Sequence, residues 1–150
     1  MARGVKPIPD GFRSITPYLM VEDADALIGF LKKAFGAKEI QRSTRPDGLI
    51  AHAAVRIGDS MVEVADPQGE WQAMPGSVHL YVGDTDSVYK RALAAGAVSL
   101  FEPVDMFHGE RGAAVRDPCG NHWYISTRIE MLTPEELERR ETAHYRQHAH

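Results

Sequence analysis

Apolar residues along this chain alternate, then recur at helical spacing, then alternate again, and the whole pattern occurs twice. Residues 14–21 alternate and are β-prone, which predicts a first strand. Asp23 can cap the helix that follows. Leu27, Phe30, Leu31 and Ala34 recur on one helical face, and Gly36 stands where a helix end favours a left-handed residue. Strands are expected over 37–44, 50–57 and 60–65, divided by the turn Arg45-Pro46-Asp47-Gly48 and a tight hairpin at Gly58-Asp59. Residues 66–76 hold Pro67, Gly69, Pro75 and Gly76 and read as a linker. The order then returns, with a strand over 77–82, a helix over 85–95, and strands over 97–104, 111–116 and 122–127. Residues 105–110 read as an irregular loop, and Asp117-Pro118-Cys119-Gly120-Asn121 as a turn.

The repetition extends to the letters. Ala53-Ala54-Val55-Arg56 recurs as Ala113-Ala114-Val115-Arg116, Leu19–Asp25 aligns with Leu80–Asp86, and Gly36-Ala37 aligns with Gly96-Ala97. Self-similarity at a fixed spacing marks a duplicated unit. It divides a single domain over 1–128 into β-α-β-β-β modules at 13–66 and 76–128, whose seam is a natural place for a cavity. The expected fold is α+β, with a curved, open eight-stranded mixed sheet and a concave face. Residues 1–12 read as an extended arm and 129–150 as a helical tail, capped by Thr133 with Pro134, Glu135 and Glu136 in its first turn. The tail has few apolar side chains, so it needs the body or a partner to persist.

Strand parity sorts the chemistry by face. One face carries Ile15, Leu19, Ala53, Val55, Val62, Val64, Val78, Leu80, Trp123 and Ile125, suited to packing beneath helices. The other carries Thr16, Tyr18, His52, Arg56 and Glu63 from the first module, and Ser77, His79, Tyr81, His122 and Tyr124 from the second. Apolar walls with a few orienting polar groups suit a small-molecule ligand. Arg56 and Arg116 hold equivalent places in the two modules and are candidates either to bind an anionic group or to neutralise carboxylates such as Glu63. Glu63 is also a candidate general base. Trp71, Met74 and Pro75 in the linker read as local packing, or as a hydrophobic lid or dimer contact.

Composition narrows the class. The chain has 150 residues, 43% of them hydrophobic and 25% charged, with a formal net charge of -4. That balance fits one compact domain without the basic field of a nucleic-acid binder. No apolar run has the length of a membrane span, and no secretory signal is visible. The lone cysteine, Cys119, cannot form an internal disulfide, and nothing near it suggests a catalytic thiol. A cytoplasmic location is expected. His144, His148 and His150 read as part of a solvated terminus rather than a metal site.

Several segments resemble the vicinal oxygen chelate superfamily, which includes glyoxalase I, extradiol dioxygenases and bleomycin-resistance proteins, and within it the PhnB-like branch. The resemblance rests on residues 16–23 (Thr-Pro-Tyr-Leu-Met-Val-Glu-Asp), 51–60, 79–84 and 117–123 (Asp-Pro-Cys-Gly-Asn-His-Trp), and covers about residues 12 to 128. It implies metal-ligand positions at Thr16, Glu63, Ser77 and Tyr124, of which only Glu63 is a good ligand for zinc, nickel or iron. The standard set is therefore incomplete, and His52, Glu63 and His79 are the residues that could rebuild a displaced site for one divalent ion. Phe107-His108-Gly109-Glu110-Arg111 resembles the family's loop over the pocket, with Phe107 as a ligand contact and His108 where that branch has tyrosine. The resemblance also implies a homodimer. Two functions follow as expectations. One is a cofactor-free binder of an amphipathic or aromatic ligand, as in antibiotic sequestration. The other is a metal-dependent lyase, isomerase or dioxygenase acting through vicinal oxygens, with Glu63 as ligand or base.

Overall fold

A computed structural model describes residues 4–148, and His150 lies outside them. The first module runs β1 (Tyr18–Met20), α1 (Ala24–Phe35), β2 (Lys38–Thr44), β3 (Ile50–Ile57) and β4 (Ser60–Ala65). The second runs β5 (Ser77–Tyr81), α2 (Thr85–Ala94), β6 (Val98–Asp105), β7 (Glu110–Arg116) and β8 (His122–Arg128), and α3 (Pro134–Gln147) follows. The eight strands form two four-stranded sheets of the same topology, β1-β4-β3-β2 and β5-β8-β7-β6. In each, the first strand pairs in parallel with the last, and the others pair antiparallel. β1 and β5 are each an edge strand of their sheet and share no ladder, so the eight strands form two sheets rather than one continuous ladder.

Local signals account for the elements. Asp23 accepts from Ala26 N at the start of α1, and Gly36 closes the helix at φ 67°. Asp84 caps α2 and Thr133 caps α3. β1 is shorter than the alternating pattern because Pro17 has no amide proton to donate, although its carbonyl still accepts from Glu63 N. The stretch read as a loop is shorter than expected: β6 continues to Asp105 and β7 begins at Glu110.

Both modules contribute to one core. Leu27, Leu31, Val55 and Val64 of the first join Val115, Trp123 and Ile125 of the second in a single buried cluster beneath the helices. Trp123 is fully buried, and its ring lies 4.9 Å from that of Phe35 across the module boundary. Arg91 of α2 donates Nε and Nη2 to the carbonyl oxygen of Ala34 at 3.2 and 2.7 Å, satisfying a helix-end acceptor of α1.

Buried aspartates secure both modules. Asp117 accepts from Cys119 N, Asn121 N, Asn121 Nδ2 and Trp123 Nε1, all within 2.8–3.0 Å. Asp66 accepts from Ala24 N and Ile50 N at 3.0 and 2.7 Å. A charge this buried is tolerated because backbone and side-chain donors surround it.

Truncating the ring that bridges the modules should be expensive. Phe35→Ala is expected to destabilise the fold by about 3–5 kcal/mol in a denaturant titration, the usual cost of deleting a buried aromatic. A loss below about 1 kcal/mol would show that the two halves do not depend on this contact.

Candidate functional site

The faces of the sheets that point away from the helices hold the candidate chemistry, as strand parity requires. Tyr18 of β1 stands opposite Glu63 of β4, and His79 of β5 opposite Tyr124 of β8. In the first module His52 Nε2 lies 3.2 Å from Glu63 Oε1, His52 Nδ1 lies 3.0 Å from Gln41 Oε1, and the Tyr18 and His52 ring centroids are 6.0 Å apart. In the second, His79 Nε2 shares a 2.9 Å hydrogen bond with Ser126 Oγ, and its ring lies 4.5 Å from that of Tyr81. Tyr81 Oη donates to Glu110 Oε2 at 2.6 Å, and His108 Nε2 is 3.2 Å from Glu110 Oε1. Each module therefore presents a tyrosine, an imidazole and a carboxylate on its free face.

Some expected partners meet and others do not. Glu63 pairs with His52, not with Arg56 or Arg116, which are exposed at the ends of β3 and β7. Thr16 precedes β1, while Ser77 and His122 face each other at the start of the β5–β8 pair. His79 belongs to the other sheet from His52 and Glu63 and is engaged by Ser126, so the three are not brought together. Among the described residues no group of three or more His, Cys, Asp or Glu side chains is placed to hold a metal ion. The described side chains therefore do not assemble the ligand set that the resemblance implies.

The loop motif divides its labour. Phe107 stacks on His144 of α3 with ring centroids 4.4 Å apart, so the tail helix covers this side chain. Arg140 reinforces that docking through Glu130 and the Phe107 carbonyl. Arg111 bridges Asp86 of α2 and Asp105 of β6 and ties the second module together. Glu110 is the motif's contribution to the free face. Sequence reading missed it because the strand was begun at Arg111; one residue earlier, parity places it with Tyr124 and Ser126. Ser126 carried that same parity signal.

Geometry explains the titration behaviour. Burial works to raise the Glu110 carboxyl, but the hydrogen bonds from Tyr81 and His108 outweigh it and hold the group below its ordinary value. The same Glu110 bond, with lesser burial, pushes the Tyr81 phenol up. Cys119 is pushed up to about 11 by burial and then by Asp117, Asp23 and Asp66. It is a thiol at neutral pH, unsuited to nucleophilic attack.

A cleft of about 620 Å³ lies where the sheets part. Its apolar wall comes from both modules, through Phe35, Val62, Val78, Leu80 and Trp123. Arg13, Arg91, His79 and Tyr81 supply polar groups. Of the residues expected to bind ligand, His79 and Tyr81 line this cleft; Tyr18 lines a second pocket of about 450 Å³ with Met20, Gln68, Trp71, Gln72 and Met74. No described helix is long and apolar enough to cross a membrane.

This duplicated architecture has close counterparts. The family model for the Glyoxalase/Bleomycin resistance protein/Dioxygenase superfamily matches residues 12–125, and the chain belongs to that superfamily. An uncharacterized protein of Mycobacterium bovis is 34% identical over 149 residues, covering 92% of this chain and 94% of its own. Among solved structures, TioX from Micromonospora sp. ML1 superposes with a TM-score of 0.67 at 25% identity, covering 78% of this chain and 99% of TioX. The PhnB protein from Bacillus cereus gives 0.63 at 18% identity, over 77% and 99%, a likeness of fold alone.

Removing the Tyr81 hydroxyl should release Glu110. Tyr81→Phe is expected to raise the Glu110 pKa toward its ordinary value of 4.5, read by carboxyl-carbon NMR titration. Because the folded value is depressed, the stability Glu110 contributes is present above that ordinary value and is lost as pH falls through the folded one. An unmoved Glu110 titration in Tyr81→Phe would show that the 2.6 Å bond does not form in solution. Separately, Cys119 is expected to react with iodoacetamide at neutral pH far more slowly than free cysteine; equal rates would refute its elevated pKa.

Proposed function

We propose that this protein is a small-molecule binder that holds an amphipathic or aromatic ligand, as the drug-sequestering members of its superfamily do. The observation that carries the reading is the 620 Å³ cleft at the module seam, apolar along both walls and edged by Arg13, His79 and Tyr81. Its volume falls in the range of roughly 300–1,000 Å³ typical of ligand sites. Tyr81, exposed at the edge of the cleft, offers a ring on which a flat ligand can stack. The resemblance of the 16–23 and 117–123 segments to the PhnB-like branch supports assigning the chain to that branch. A homodimer accords with the free faces of the sheets, whose large exposed side chains a second copy could partly cover. A single free cysteine, with no disulfide among the described residues, accords with a cytoplasmic location.

A metal-dependent lyase, isomerase or dioxygenase is the competing reading, and the His52–Glu63 pair is the observation in its favour. A divalent ion would polarise vicinal oxygens of the substrate. His52 and Glu63 could supply two protein ligands, and among the described residues no third His, Cys, Asp or Glu completes a group with them.

Two measurements on untagged protein decide. Metal analysis is expected to find no stoichiometric zinc, nickel, manganese or iron. A melting screen with aromatic antibiotics and amphipathic peptides is expected to raise Tm for at least one class, through ligand binding to the folded state alone. One equivalent of metal, lost in both His52→Ala and His79→Ala, would replace this reading with the enzyme.

A further inference from the structure

We propose that the pocket beneath Trp71 is a second ligand seat, built for a planar, uncharged heteroaromatic ring system. It goes beyond the seam cleft, with which it shares no lining residue.

Trp71 is 66% exposed, so local packing does not explain it. The hairpin that presents it is well anchored. Gln68 and Trp71 exchange two backbone hydrogen bonds of 2.9 Å around Gly69, whose φ of 58° suits glycine, and Gln72 Nε2 donates to the Gly69 carbonyl. Arg45 Nη1 donates to the Pro67 carbonyl at one root, and Met74 N donates to the Met20 carbonyl at the other. The indole is thus held out at the edge of a pocket of about 450 Å³.

The lining specifies the occupant. Tyr18 and Trp71 offer aromatic surface, and Met20 and Met74 offer polarizable thioethers that pack well on rings. The carboxylate in the lining, Asp66, is 4% exposed and already accepts from Ala24 N and Ile50 N. Hydrogen bonding to a ligand therefore falls to neutral groups: the Tyr18 hydroxyl, the Gln68 amide and the amide oxygen of Gln72, whose Nε2 is taken up by the Gly69 carbonyl. A flat ring system with an acceptor or donor edge and no formal charge matches these groups; an anion or a long acyl chain does not.

The two tryptophans make the test direct, because Trp123 is fully buried and Trp71 is not. Acridine in mildly alkaline buffer, where it is uncharged, is the probe. It is expected to quench the exposed tryptophan emission saturably. By acridine anisotropy, Trp71→Ala should weaken binding about tenfold or more, in line with the loss of one stacking partner, and Trp71→Phe should restore most of it. Affinity unchanged in Trp71→Ala but lost in Tyr81→Ala would place the probe in the seam cleft, overturning this inference and leaving the proposed function intact. No saturable binding to the wild type would also overturn it, leaving that function to its own melting screen. A third contrary result is a Trp71 shielded from acrylamide in the free protein at concentrations where sedimentation shows a dimer. A second copy would then occupy the pocket.

Discussion

Packing of α1 and α2 over one shared core is the constraint on which the rest of the structure depends. Trp123 enters that core from the second module and meets Phe35 of the first, with its indole N–H satisfied by Asp117. Without that acceptor the buried Nε1 would carry an unpaired-donor penalty. Arg91 adds a polar tie across the same boundary at the Ala34 carbonyl. Both modules therefore bury their helix-facing sides together, and the opposite faces of both sheets are left free.

That division sets what the free faces can do. Each carries a Tyr–His–carboxylate set, and each set is satisfied within its own module: His52 by Glu63 and Gln41, His79 by Ser126, Tyr81 by Glu110. Groups already paired within separate sheets do not converge on a common ion. What the seam offers between them is apolar surface from both halves, with a few polar groups at its edge. Apolar walls with a few polar groups are the usual composition of a small-molecule site.

Much of this was legible in the sequence because it follows from local rules. The duplicated element order, the caps at Asp23 and Thr133 and the left-handed Gly36 need only neighbouring residues. Parity alone put Tyr18, His52 and Glu63 on one face and Trp123 and Ile125 on the other. What escaped depends on distance between elements. No pattern shows that β1 and β5 part, because their separation is set by how the helices pack. Register shifts near Glu39 and Ser43 in β2 decide which neighbour His52 finds, and alternation does not reveal a bulge. Phe107 looked free because the docking of the tail helix, through Arg140 and His144, spans a long sequence separation. The linker position of Trp71 leaves packing, a lid and a dimer contact all open, because the exposure of an indole on a short hairpin carries no local signal.

The central claim is that two repeats share a single core and leave their other faces open. Unfolding tests it most directly, because the buried Trp123 reports on the module boundary while circular dichroism reports on both modules at once. In Trp71→Phe protein, whose emission comes from Trp123 alone, guanidinium denaturation followed by both signals should give coincident, single transitions. Two separated transitions, with Trp123 emission changing while half the secondary structure persists, would mean that the repeats fold as independent units and would contradict the account.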